Sequence, residues 1–282
     1  MFTVFFVVVI AFGWVFAQVY QSPGILYFAI IFSLIMNFVS YWSSDKIALR
    51  MAGAQQIEKK DNPALWNVIE NLAITAGLPM PRVYTTPERQ INAFATGRNP
   101  EHAAIAVTLG ALERLNKDEL EGVLAHELSH VGNRDILVST AVVVLAGVIS
   151  LVSDIFMRSM FFGGMRGRDD EDRNGGMMAI IGIALAILAP IAAMLIQFAI
   201  SRRRESLADA SGALLTRYPE GLASALEKIG ADTSPMRAAR DSTAHLWIAN
   251  PFKGKYLSGL HKLFLTHPPI EERIKALRGM KI

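Results

Sequence analysis

The sequence predicts a mostly helical α+β integral membrane protein, four membrane-crossing helices carrying a domain with a small sheet. Three observations predict it. Mean hydropathy is +0.32, with 52% hydrophobic and only 19% charged residues, where soluble domains carry about a quarter charged. Four apolar runs, 2–20, 24–42, 136–157 and 177–200, concentrate that hydrophobicity, and each is long enough to cross roughly 30 Å of hydrocarbon as a helix. Between the second and third runs lie one helical pattern and three short strand patterns, followed by a second, polar helix.

The first two runs are separated only by Gln21, Ser22 and Pro23, which fits a tight helical hairpin. The N-terminus lacks the positive segment of a secretory signal, and a second run follows at once, so the pair reads as an anchor. Residues 62–76 show helical spacing through Leu65, Val68, Ile69 and Leu72, with Gly77 to end the helix. Strands are expected at 82–85, 90–96 and 103–108. The middle one, which holds Asn92, Ala93 and Phe94, suits an exposed edge, to which an extended peptide can add by main-chain hydrogen bonds. It equally suits a buried strand with a hydrogen-bonded Asn. The third run has a second reading too, as part of a buried hydrophobic hairpin beside the membrane.

Residues 126–130 read H-E-x-x-H. A helix is expected there, since Asn116 can cap it, Glu119 can complete a capping box, and Leu120, Val123, Leu124 and Leu128 form an apolar stripe. His126 and His130 then stand about 40° apart on one face. They can share a Zn²⁺ while Glu127 acts on a metal-bound water. A catalytic zinc needs a third protein ligand, and Glu205 in the E-x-x-A-D stretch 205–209 is the candidate, with Asp209 one turn on to orient a ligand His. Alone, these two carboxylates would read as a solvated helix face beside Arg202, Arg203 and Arg204. A metzincin is excluded, because Asn133 and Ile136 stand where it needs Gly and a third His. An intramembrane protease is excluded because residues 116–121 are too polar for hydrocarbon.

Two crossings between His130 and Glu205 return both to one side of the membrane. Lys46, Arg50, Lys59, Lys60, Arg134 and Arg202 to Arg204 crowd that side, which the positive-inside rule makes cytoplasmic. The opposite loop, 158–176, is Gly-rich and nearly neutral. The absence of Cys agrees with a reducing compartment. The pI near 9.2 reflects membrane-flanking cations, and no nucleic-acid motif accompanies it. The expected partners are protein or peptide substrates and the lipid bilayer.

The chain resembles the HtpX-type membrane zinc metalloproteases, relatives of the CAAX prenyl proteases with a gluzincin core. The resemblance rests on both N-terminal spans, Asn92-Ala93-Phe94, the H-E-L-S-H-x-x-N-R-D stretch 126–135, the hydrophobic hairpin, E-x-x-A-D, and Thr266-His267-Pro268. It implies one zinc held by His126, His130 and Glu205, with Glu127 as general base and Asn92 and Ala93 binding the substrate backbone. It implies that His267 and Arg273 stabilise the tetrahedral intermediate or hold substrate, and that the role is quality control of misfolded or damaged proteins of the bacterial inner membrane. The expected units are residues 1–43, a membrane hairpin; 44–135, the first half of the catalytic domain; 136–200, a second hairpin; and 201–282, the second half. Two alternatives stand beside this reading, a CAAX-type processing protease and a membrane scaffold with structural zinc. Four spans are too few for the first, and a Cys-free chain with Glu127 in place does not suit the second.

Overall fold

The computed structural model describes residues 2–19, 21–145, 147–148, 202–238, 240, 243–252 and 268–281. Helices α1 (Phe2–Val19) and α2 (Pro23–Met51) pack against each other through a turn in which Gln21 takes φ 49°, the expected hairpin. Along α2 the large side chains of Tyr27, Phe28, Ile31, Leu34, Ile35, Phe38 and Trp42 are exposed among the described residues, forming an apolar face. At Trp42, over whose ring Arg98 sits at 4.7 Å, the helix changes character. Ser44, Asp45, Ala48 and Leu49 are buried, and Asp45 pairs with Arg82 at 2.6 Å. The helix thus continues nine residues past the apolar run, straight into the folded domain.

Among the described residues, α2 is the one helix long and apolar enough to cross a membrane. Four crossings are therefore not all seen. The run 136–157 begins as α6 (Ile136–Leu145), whose Ile136 and Ala141 to Leu145 are buried within the domain. A run that is apolar on every side fits a protein interior as well as lipid, and hydropathy cannot distinguish them. The rest of that run, the run 177–200 and the loop 158–176 lie outside the described residues.

The sheet has four strands in the order β1-β2-β4-β3: β1 (Gln55–Gln56), β2 (Arg82–Thr86), β3 (Ala93–Thr96) and β4 (Ala104–Thr108). β2 and β4 are parallel, and the two outer pairings are antiparallel. The period of two sends Val83, Ala93, Ala95, Ile105 and Val107 toward one hydrophobic cluster, and Phe94, Ala104 and Ala106 toward another built with Ala48 and Leu49 of α2. With both faces covered, β4 reads as a continuous apolar run. β3 is shorter than the expected 90–96 because side chains take over the ladder: Ile91 N–H donates to Asp232 at 2.7 Å and Asn92 N–H to Thr108 Oγ1 at 3.0 Å.

Helix α3 (Pro63–Ala76) is capped by Asn62 and stopped by Gly77 at φ 66°, a left-handed conformation that glycine adopts freely. After α4 (Leu109–Arg114) comes α5 (Lys117–Gly132), opened by the expected capping box of Asn116 and Glu119. α7 (Arg202–Thr216) and α8 (Pro219–Ala231) pack across α5, and α9 (Ile270–Arg278) closes on both. These crossings are close. A Cβ on Gly122 would stand 2.6 Å from Leu222 N, and one on Gly212 would stand 2.9 Å from His126 N.

Candidate metal centre

Close approach of α5 and α7 brings the site together. The buried positions of α7 are Glu205, Ala208, Asp209, Gly212 and Ala213, the i, i+3, i+4, i+7, i+8 face of a helix. With no side chain at Gly212, that face lies against the backbone of His126, and Glu205, two turns earlier, reaches the imidazoles. His126 Nε2 and His130 Nε2 are 3.3 Å apart. Glu205 offers one oxygen 3.8 Å from the first and the other 3.5 Å from the second. Their donor atoms all lie within 4.8 Å of one another.

The outer nitrogens fix the tautomers. His126 Nδ1 is 3.0 Å from Asp209 Oδ1, and His130 Nδ1 is 3.3 Å from Asp135 Oδ2. With each Nδ1–H donated to a carboxylate, both Nε2 lone pairs face inward, beside a carboxylate and with no proton to share. That is a repulsive arrangement unless a cation sits among them. Two ligands about 2.0–2.1 Å from a tetrahedral zinc stand roughly 3.3–3.4 Å apart, so the residues present fit this ion. Charge agrees: three buried carboxylates, Glu127, Glu205 and Asp209, face one buried guanidinium, Arg273.

Burial pushes the Glu127 carboxyl above its ordinary range despite the two nearby imidazoles. Such a carboxyl is a better proton acceptor near neutral pH than an exposed one. For His130, burial works against the charged form, yet the Asp135 hydrogen bond and the carboxylates of Glu205 and Glu127 outweigh it and raise the pKa. Asp209 is also buried, which would raise it, but hydrogen bonds from His126 and Arg273 and their charges hold it well below the usual carboxylate range.

Arg273 stands elsewhere than expected. It donates to both oxygens of Asp209, at 2.9 and 2.7 Å, and is not among the described residues lining the cleft. Its guanidinium comes within 3.5 Å of His126 Nδ1, but that nitrogen's hydrogen faces Asp209, so the two are neighbours and not partners. Arg273 is a positioning residue: a buried carboxylate between an imidazole and a guanidinium is the arrangement that keeps all three fixed. His267 lies outside the described residues. Asn92 and Ala93 are fully covered, with Asn92 1% and Ala93 0% exposed. β3 is the sheet's edge, as expected, but it is not exposed.

Two residues of the site have no role in the sequence reading. Asp135 steadies His130 from just beyond α5, where Arg134 takes φ 59° and turns the chain back. An acid five residues after an outward-facing His was the available signal. His245 is buried and lines the cleft with His126, Glu127, His130 and Glu205, and its Nε2 is 2.9 Å from the Ser139 carbonyl. No spacing rule reaches it, because it sits in a single 3₁₀ turn, Ala244–Leu246, too short to carry a period.

Fold and site together match a known class. The profile of peptidase family M48 covers residues 59–281, and the chain belongs to that family. Within it the chain is of the HtpX type. It is 51% identical over 261 residues to a protease HtpX homolog of Caldanaerobacter subterraneus, covering 92% of this chain and 85% of the relative. The homolog of Syntrophobacter fumaroxidans is 52% identical over 269 residues, 95% and 93% of the two chains. That of Tropheryma whipplei is 46% identical over 281 residues, 99% and 94%. Among solved structures, S. mikatae Ste24p superposes with a TM-score of 0.51 at 18% identity. The match covers 96% of this chain and 62% of that one, a likeness of fold.

Proposed function

We propose that the chain is a membrane-anchored, zinc-dependent endopeptidase that hydrolyses misfolded or damaged membrane proteins at the cytoplasmic face of the bacterial inner membrane. One observation carries the reading: His126, His130 and Glu205 converge on a single point, with Glu127 lining the same cleft. Zinc bound there would supply Lewis acidity, activating a water and polarising a carbonyl. Glu127 accepts the attacking water's proton and delivers it to the leaving amine. Asp209 and Asp135 hold the two imidazoles in register. His267 is assigned to the developing oxyanion, and Asn92 and Ala93 to the substrate backbone.

The exposed apolar face of α2 supports the membrane anchor. The cations Lys46, Arg50, Lys59, Lys60 and Arg202 to Arg204, grouped on the catalytic side, support cytoplasmic orientation in a multi-pass arrangement. The test is metal content and casein cleavage measured on one purified sample. Cleavage should stop with a chelator and return with added zinc, and cleavage that persists after the metal is gone would overturn the proposal.

A further inference from the structure

Among the described residues, one side of the cleft is bordered by a segment of irregular chain that also lies against the sheet edge assigned to substrate. On the open edge of β3, Ile248 N–H donates to the Ala93 carbonyl at 3.0 Å. One residue on, Ala249 N–H donates to Asn92 Oδ1 at 3.2 Å, while Asn92 Nδ2 donates to the Ala249 carbonyl at 3.0 Å. The pairings 248 with 93 and 249 with 92 run in the antiparallel sense. Trp247 packs edge-on to Phe94, with ring centroids 4.7 Å apart.

The same short segment walls the site. His245, Leu246 and Ile248 line the cleft. The facing walls, α5 and α7, carry the metal donors and cannot retreat without separating them. The segment carries none, and apart from one 3₁₀ turn, Ala244–Leu246, its backbone is irregular. Its one main-chain bond to β3, from Ile248 N–H to the Ala93 carbonyl, is of the kind an added peptide strand makes with a sheet edge, and the Asn92 amide beside it offers a donor and an acceptor that a peptide backbone can equally use.

Resting on the peptidase reading above, we infer that residues 244–249 form an autoinhibitory strap, a resident strand that occupies the substrate edge and must leave before an extended peptide enters. Asn92 and Ala93 serve both states, holding the strap when the site is empty and the substrate when it is filled. Leu246 and Trp247, packed with Ala48 and Leu49 of α2, hold the strap closed.

The test is hydrogen exchange of the full-length, zinc-loaded Glu127→Gln protein in detergent micelles, with and without saturating β-casein as the probe. Casein should raise exchange across 244–250 about tenfold or more, as expected for a displaced segment, while 90–96 stays protected. If casein binds and the parent enzyme cleaves it, yet 244–250 stays as protected as before, the strap is refuted and the peptidase reading stands. If the parent neither binds nor cleaves casein, both fall together. Ile248→Pro provides a second line, since it removes the N–H donated to Ala93. Where this variant is folded and binds zinc like the parent, its KM for casein should drop several-fold; an unchanged KM would count against the strap.

Discussion

Arg273 and Asp209 are 64 residues apart in sequence and joined by two hydrogen bonds of 2.9 and 2.7 Å in a buried site. The bidentate pair holds a carboxylate that also meets His126 Nδ1 at 3.0 Å. α9 therefore bears on the metal donors through one side chain of α7. Asp209→Ala should weaken zinc affinity by roughly 10- to 100-fold. Arg273→Met leaves Asp209 charged and without its main partner, and should cost about 3–5 kcal/mol of stability. Chelator competition and thermal unfolding measure the two effects. Parent-like zinc affinity in Asp209→Ala would show that His126 needs no such support.

Glu127 lines the cleft beside the metal donors but is not one of them. Glu127→Gln should keep its zinc and lose at least about 10²-fold in peptidase rate, the usual cost of losing a general base. Glu205→Ala should lose the zinc itself. Measured side by side, the variants separate chemistry from binding, and full zinc occupancy in Glu205→Ala would remove that residue from the coordination set.

Gly212 is needed for its missing side chain. A methyl group there would lie 2.9 Å from the backbone of His126, so Gly212→Ala must push α7 off α5. The expected cost is about 1–3 kcal/mol, as for other overpacked interiors, together with weaker zinc binding because Glu205 rides on α7. Unchanged melting temperature and metal content in this variant would contradict the close crossing.

Asp232 gives the fold an acid limit. Burial would raise its pKa, but hydrogen bonds from Arg114, Ser234 and Ile91 N–H outweigh this and hold it well below the unfolded value of 3.8. A depressed carboxylate stabilises the fold fully above the unfolded pKa, and the contribution fades as pH falls below it. In chelator, to silence the metal, acid unfolding followed by circular dichroism should begin as pH drops under about 4. Asp232→Asn should be less stable at neutral pH and show a flatter acid limb, whereas an acid limb identical to the parent's would exclude this residue as the cause.

Orientation can be read with thiols, since the chain has no Cys. Lys60 and Thr233 are exposed on the catalytic domain. In intact cells an impermeant reagent should leave Lys60→Cys and Thr233→Cys unlabelled and should label Gly167→Cys, following the distribution of cations. Labelling of the first two would invert the topology.

Much of the site was legible because its parts are local. The capping box of Asn116 and Glu119, the His126 and His130 spacing, and the one-turn step from Glu205 to Asp209 each lie within one helix, where 3.6 residues per turn fixes who shares a face. What escaped is non-local. Arg273 sits six residues after His267 in sequence, which suggested a shared substrate role, but α9 packs its guanidinium onto Asp209. The cover over β3 comes from residues more than 150 positions away, on backbone with no period to read. The run that begins as α6 stood open between two readings for a different reason: a buried wall and a membrane span have the same composition.

α2 runs from its apolar stretch into the domain core with no Pro or Gly after Gly24, so it has no joint. About 13 Å of stiff helix separates Trp42 from Met51. With the apolar part in the bilayer, as proposed, that stiff stretch would set the height of the cleft above the lipid. On that reading the enzyme would select by height before it selects by sequence, cutting a chain only where it lies extended within a narrow band.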